Sequence, residues 1–228
     1  MWQEIDFSPL FISVKTGIVA TIISFFIGVF CARRVACMKG RIRALWDAIL
    51  TLPLVLPPTV AGFFLLLLFS RKRALGIFLY DCFGISVVQT WLGCVLASTV
   101  VAFPFMYKNA RAAFEQINPD IIYAGRTLGL SEGKIFWRIM IPLARPGLVS
   151  GAMLTFARAM GEYGATSMLA GNIPGKTGTI SQKIATVMQD GDYETAGMWT
   201  VIVIAISLII IVATNVIYDR SAQDKRKL

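Results

Sequence analysis

The feature that most constrains this chain is a series of apolar runs, each about 20 residues long, separated by short basic stretches. A run of that length crosses a bilayer as an α-helix, which satisfies its own backbone polar groups where no water can. Only 15% of the residues are charged, well below the roughly 25% of soluble domains. The expected fold is therefore an all-α polytopic membrane protein with about five transmembrane helices and membrane lipid as its solvent. No long linker, fixed-period repeat or low-complexity tract divides the chain, so 1–228 is expected to be a single domain.

In order, span one covers about 10–32, with Lys15 a turn inside its start, where it can snorkel outward. Residues 1–6 carry no basic stretch, so no cleavable leader is expected and span one is retained. Span two covers about 45–70 and contains Pro53, Pro57 and Pro58, which remove backbone donors and should break or kink the helix. A break at membrane depth needs protein or a watery cavity to satisfy the freed carbonyls. It is either a packing kink or a place where backbone lines a pathway, with Thr59 close by. A short segment, 71–84, leads to span three at about 85–107. Span four covers about 143–163, where Gly147 and Gly151 form a small-xxx-small face for close helix approach. Span five covers about 198–218 and ends in a tail, 219–228.

The basic residues set the orientation. With the N-terminus outside, the inner segments hold fifteen (33, 34, 39, 41, 43; 108, 111, 126, 134, 138, 145; 220, 225, 226, 227). The outer segments hold five: Arg71, Lys72, Arg73, Lys176 and Lys183. The expectation is N-terminus out, C-terminus in the cytoplasm. The Arg71-Lys72-Arg73 cluster violates the rule. It either draws in an anion or an acidic partner surface, or is a tolerated exception. The net charge of +9 follows from this topology and implies no nucleic acid.

The loop at 108–142 then lies in the cytoplasm. Asn118 suits an N-cap, Pro119 the first helical position and Asp120 the first turn. Phe114, Ile117, Ile121 and Leu128 keep helical spacing. Gly129 falls where a left-handed residue closes a helix, and Ser131 can cap a second helix expected to end near Pro142. The reading is helix, glycine turn, helix, outside the hydrocarbon.

Arg158 and Glu162 are four apart, late in span four. Ionisable residues there are costly and face an interior or a cavity. They either clamp two helices or serve an anion route or gate. Cys31, Cys37, Cys82 and Cys94 lack metal-type spacing and read as small packing residues. Histidine is absent, which removes the usual general base and the commonest metal ligand. Gly171 to Thr177 is one residue too short between its glycines for a phosphate loop. It reads as a rigid external turn, without nucleotide.

The central loop also resembles that of permease subunits of bacterial ABC importers, whose pattern is Glu-Ala-Ala, three residues, Gly, nine residues, Ile-x-Leu-Pro. Here Tyr123-Ala124-Gly125, Gly129 and Ile139-Met140-Ile141-Pro142 keep both spacings, with Tyr123, Gly125 and Ile141 as departures. Phe156-Ala157-Arg158-Ala159-Met160-Gly161-Glu162-Tyr163-Gly164-Ala165, and Asn172-Ile173-Pro174-Gly175-Lys176-Thr177 further on, resemble the sulfate/molybdate branch of that family. The stretch 52–62 and the short, five-span chain are similar to the molybdate permeases within it.

The resemblance implies a homodimer that moves a tetrahedral oxyanion, molybdate first and tungstate or sulfate as alternatives, across a bacterial or archaeal cytoplasmic membrane. Two ATP-binding cassette subunits would dock on the loops, and a periplasmic or extracellular oxyanion-binding protein would deliver cargo. ATP and magnesium would sit on the ATPase, leaving this chain without a cofactor, metal or catalytic residue of its own. It implies a coupling segment made by Tyr123, Ala124, Gly125, Arg126, Thr127, Leu128, Gly129, Ile139 and Pro142. Pro57, Pro58, Thr59, Arg158 and Glu162 are the candidate pathway or gate. Two other classes compete. An ATPase-independent carrier needs inverted repeats or a ladder of intramembrane acids, and Glu162 stands nearly alone. An intramembrane enzyme lacks its usual nucleophile and base.

Overall fold

The computed structural model describes residues 6–226, and the side chains of 6–212. The expected retained start at 1–5, the last two tail residues, and the basic side chains of 220–227 lie outside that description. Every regular element described is helical. Among the described residues, four helices are long and apolar enough to cross a membrane, and a bent pair makes up to five.

Helix α1 (Ser8–Ala36) is the first crossing, and Arg33 and Arg34 lie in its last turn, where cations complement the helix dipole. The prolines break span two as anticipated. Helix α2 (Gly40–Val55) carries Pro53 inside it, and α3 (Pro58–Phe69) starts anew after Leu56 and Pro57 adopt extended backbone. The two axes turn by 107°. They nevertheless follow one neighbour along its length. Helix α4 (Ala74–Phe83) fills the segment after the Arg71-Lys72-Arg73 cluster. That neighbour is α5 (Trp91–Glu115). Asp47 of α2 accepts from Tyr107 and Arg111 near one end of α5, while Leu65 of α3 clusters with Ala97 and Val101 nearer the other. Together α2 and α3 trace a single broken crossing.

Span three is displaced from its expected 85–107. Gln89 takes a left-handed backbone (φ 58°), so the helix starts only at Trp91. At its far end the polar residues 108–115 stay helical because Ala110, Ala113 and Phe114 are buried against α1 and α8. Arg111 is also tied to Asp47 and Glu115.

After α6 (Pro119–Thr127) and the short α7 (Glu132–Ile135), the chain was expected to stop its helix near Pro142. It does not. A π-helical turn at Phe136–Met140 runs straight into α8 (Ile141–Met160), and Glu132–Met160 passes as one long helix. In the wider turn the Ile141 N–H reaches back to the Phe136 carbonyl oxygen. Pro142 then follows directly on this turn, whose wider backbone accommodates a residue without an N–H inside a continuous helix. Span four also ends earlier than expected, at Met160, and a separate helix, α9 (Gly164–Ala170), follows. Helix α10 (Ile180–Gln189) opens on a full capping box between Thr179 and Gln182, and α11 (Tyr193–Arg226) closes the fold, so the expected tail continues the helix.

The centre is α1, α5 and α8, brought close by small residues. A β-carbon on Gly147 would stand 2.7 Å from Ala113 Cβ, and one on Gly151 2.7 Å from Asn109 Cβ, as the small-xxx-small spacing anticipated. Ala20, Ala102 and Ala159 meet between the three helices. Trp91 donates to Thr16 Oγ1 at 2.9 Å, and the Lys15 ammonium lies 4.0 Å over the Trp91 ring instead of extending freely. The cysteines fit the packing expectation in part: Cys94 is buried and Cys31 packs against the core, while Cys37 and Cys82 are exposed.

Candidate coupling hairpin and broken-helix site

The α6–α7 hairpin is built as its sequence anticipated. Asn118 Oδ1 accepts from the Asp120 N–H at 2.9 Å, and Ser131 Oγ accepts from the Lys134 N–H at 3.4 Å. Between them lies a Schellman turn. The Leu130 N–H donates to the Gly125 carbonyl oxygen at 3.1 Å, and the Gly129 N–H to that of Arg126 at 2.9 Å. Gly129 sits at φ 73°, in the left-handed region that glycine enters without penalty. Gly125 is the one buried residue of α6, and a β-carbon there would meet Ile139 Cδ1 at 3.2 Å and Ile135 Cγ1 at 3.4 Å. Gly125 and Ile139 of the sequence pattern are thus packing partners.

Two contacts missed by sequence reading brace the hairpin. Arg126 and Glu132 form a two-pronged ion pair at 2.7 and 3.2 Å. Hydrogen bonds from Arg126 hold the Glu132 carboxyl below its ordinary value of 4.5. Arg33 reaches across from α1, donates to the Glu132 carbonyl oxygen at 3.2 Å and lies 4.0 Å over the Phe136 ring. On the outward face of α6 Tyr123, Ala124, Thr127 and Leu128 are exposed, with Leu128 at 79%, and Trp137 of the π-turn is exposed at 67%. Exposed apolar side chains on a hydrogen-bonded turn fit a docking surface.

At the other break, the structure brings the five predicted pathway residues to one locality. A β-carbon on Gly164 would stand 3.1 Å from Pro58 Cβ and 3.2 Å from the Thr59 nitrogen, so the start of α9 meets the start of α3. Gly62, one turn on, would place a β-carbon 2.6 Å from Ala165 Cα. Glu162, buried, accepts from Arg158 at 2.6 Å and from the Ala165 N–H at 2.7 Å. The pair closes the junction between α8 and α9 by neutralising the buried carboxylate and capping α9. Arg158 keeps part of its side chain accessible, and Pro57, Thr59, Gly161 and Tyr163 beside it are exposed.

The glycine-rich turn after α9 is rigid, as expected: the Ile173 carbonyl oxygen accepts from the Lys176, Thr177 and Gly178 N–H groups at 3.0 to 3.1 Å. Among the described residues, no three His, Cys, Asp or Glu side chains gather as a metal site.

The chain is thus a helical protein with several membrane-length helices, an exposed hairpin at one end and two helix breaks that meet elsewhere in the bundle. The chain belongs to the family described as the binding-protein-dependent transport system inner membrane component, which matches residues 24–227. It is 38% identical over 205 residues, 90% of each chain, to the molybdenum transport system permease protein ModB of Escherichia coli K12. It is 32% identical over 209 residues to the sulfate transport system permease protein CysT of Salmonella typhimurium LT2, covering 92% of this chain and 75% of that one. Among solved structures, it superposes on a chain of the MetNI methionine ABC transporter with a TM-score of 0.75 at 18% identity, covering 97% and 99%. It does so on a chain of a bacterial alginate ABC importer with a TM-score of 0.78 at 15% identity, covering 96% and 80%. The fold is that of an importer permease, and the chain is a multi-pass inner-membrane transport component rather than an enzyme.

Proposed function

We propose that this chain is the membrane subunit of an ATP-driven importer for a tetrahedral oxyanion, with molybdate as cargo and sulfate or tungstate as the related alternatives. The observation that carries this reading is the locked α6–α7 hairpin with its uncovered apolar face, in a chain 38% identical over 90% of its length to a molybdenum permease. The orientation is N-terminus out and C-terminus in, which puts the hairpin in the cytoplasm, where ATPases are found. The functional unit is a homodimer with the pathway at its interface, two ATP-binding cassette subunits on the hairpins and an oxyanion-binding protein outside. This chain binds no cofactor; ATP and magnesium sit on the ATPase.

The uninterrupted helix from Glu132 to Met160 supplies a mechanical route. The hairpin is fastened to its start through Arg126–Glu132 and Arg33, and Arg158 lies on its last turn. When the ATPases close, the hairpins are drawn together and α8 moves as a rod. The Arg158–Glu162 junction, with Pro57, Pro58 and Thr59 opposite, is where that motion meets the pathway. Arg158 is the cation with accessible surface there and meets the anion in transit.

The test is reconstitution with the ATPase and binding protein in proteoliposomes, measuring ATP-dependent molybdate uptake in competition with sulfate and tungstate. Uptake blocked by excess molybdate and requiring the ATPase is expected. Transport by this chain alone would replace the reading with a secondary carrier.

A further inference from the structure

At the end of the bundle opposite the hairpin, a cavity of about 460 Å³ opens between the end of α3 and the start of α5. Its chemistry is one-sided. Arg71 and Lys72 line it with the hydroxyls of Ser70, Ser86 and Thr90 and with Gln89, and no carboxylate lines it among the described residues. We infer that this cavity is an outer receiving site for a tetrahedral oxyanion group, one short helix above the Arg158–Glu162 junction. The inference rests on the orientation and oxyanion reading proposed above.

Four observations support it. The Arg71 guanidinium is held in place by neutral groups, stacking 4.2 Å over the Tyr80 ring and donating through Nε to Ser86 Oγ at 3.3 Å. Neither contact neutralises its charge, and the terminal nitrogens remain for a ligand, in the fork geometry that suits an oxyanion. Second, Ser86 Oγ accepts from Arg71, and Ser70 Oγ accepts from the Lys72 N–H at 3.3 Å. Each serine thereby keeps its own hydrogen to donate. Third, α5 begins here without a side-chain cap. The Thr90 hydroxyl donates instead to the Ser86 and Val87 carbonyl oxygens at 2.9 and 2.8 Å. The start of this 25-residue helix therefore adjoins the two cations, its N-cap residue Thr90 lining the same cavity. Fourth, Gln89 is the non-glycine residue with positive φ among those described, and its N–H is fixed to the Leu169 carbonyl oxygen at 3.1 Å. A strained backbone that pins a pocket wall is a recurrent mark of a functional site.

The pinning also locates the cavity. Leu169 is near the end of α9, whose start is capped by Glu162. Seven helical residues separate the outer cavity from the buried pair, ~10 Å along the axis. An anion released outside would be concentrated here before meeting Arg158. This accounts for a basic cluster on the face where the charge rule disfavours one. The same chemistry would hold the phosphate of an anionic lipid, and the test separates the two sources.

The test uses the permease–ATPase complex in phosphatidylcholine nanodiscs, with molybdate as the probe in equilibrium dialysis at low salt. The variants are Arg71→Gln/Lys72→Gln and, as a control that spares the lining, Arg73→Gln. The double variant is expected to weaken saturable molybdate binding by about tenfold or more, the control less than about twofold. Repeating the measurement with phosphatidylglycerol assigns the source. If molybdate binding vanishes and the wild type retains more phosphatidylglycerol than the double variant, the site stands and its ligand is lipid phosphate. Equal molybdate binding and equal lipid retention by wild type and double variant overturn the site. So does a result in which only docking of the binding protein responds. Wild-type uptake measured in parallel keeps the readings apart. No ATP-driven oxyanion uptake with variant-sensitive binding sinks the import reading alone, whereas normal uptake with variant-insensitive binding sinks the site alone.

Discussion

Gly164 abuts Pro58 where two broken helices meet, a β-carbon at 164 standing 3.1 Å from Pro58 Cβ, and the contact tightens one turn away between Gly62 and Ala165. At Gly164 the neighbours need yield only a few tenths of an ångström. At Gly62 a methyl group would stand 2.6 Å from backbone, and backbone must move. Gly62→Ala is therefore expected to cost about 1–3 kcal/mol through overpacking, and Gly164→Ala less. Thermal unfolding of the purified chain, with uptake beside it, checks the order. Equal stability of Gly62→Ala and wild type would mean that α3 and α9 are not packed as described.

Gly129→Asp addresses the hairpin. The position is left-handed, but nothing lies within 4 Å of an added β-carbon, so the cost is backbone strain of about 1 kcal/mol plus a new charge on the docking face. Membrane insertion should survive while ATPase co-purification and ATP-driven uptake fall. Gly129→Asn tolerates the left-handed backbone and should retain most of both. Full activity of Gly129→Asp would count against docking at this turn.

The hairpin was legible because its signals are local. Asn118, Pro119, Gly129 and Ser131 act within four residues of themselves, and each does what its type dictates. Prolines were read with mixed success. Pro57 and Pro58 break span two because the chain there turns extended. Pro142 was expected to end a helix and does not, because a π-turn upstream supplies the slack. Nothing in residues 136–140 announces that turn. Bracing by Arg33 and the Asp47–Arg111 contact were not legible either, since their partners lie 99 and 64 residues away. The meeting of Pro58 with Gly164 is likewise long-range. Sequence placed both among unusual stretches and left their adjacency to the fold.

Glu132 gives a pH dependence with a definite sign. Its carboxyl is lowered from 4.5 by hydrogen bonds from Arg126, so the pair stabilises the hairpin above that value and is lost as pH falls through the depressed value. Glu132→Gln should therefore differ from wild type at about pH 7 and converge with it in acid. Amide exchange at Gly129 and Leu130, compared between the two at each pH, reads this directly because both N–H groups close the turn. A difference that persists below the range where carboxylates titrate would locate the effect elsewhere.

The buried pair offers the sharpest separation of structure from transport. Glu162 is enclosed while Arg158 remains partly accessible. Removing Arg158 alone, as Arg158→Leu, leaves a buried carboxylate without its cation, a loss of about 3–5 kcal/mol. The double variant Arg158→Leu/Glu162→Gln removes the charge together with its partner, and the amide oxygen of the new side chain can still accept from the Ala165 N–H. The double should therefore be more stable than the single, which thermal unfolding measures. Uptake then decides the role. If the pair only clamps α8 to α9, transport returns with stability. If Arg158 meets the anion, the double folds, holds its ATPase and still fails to move molybdate, and that second outcome is expected.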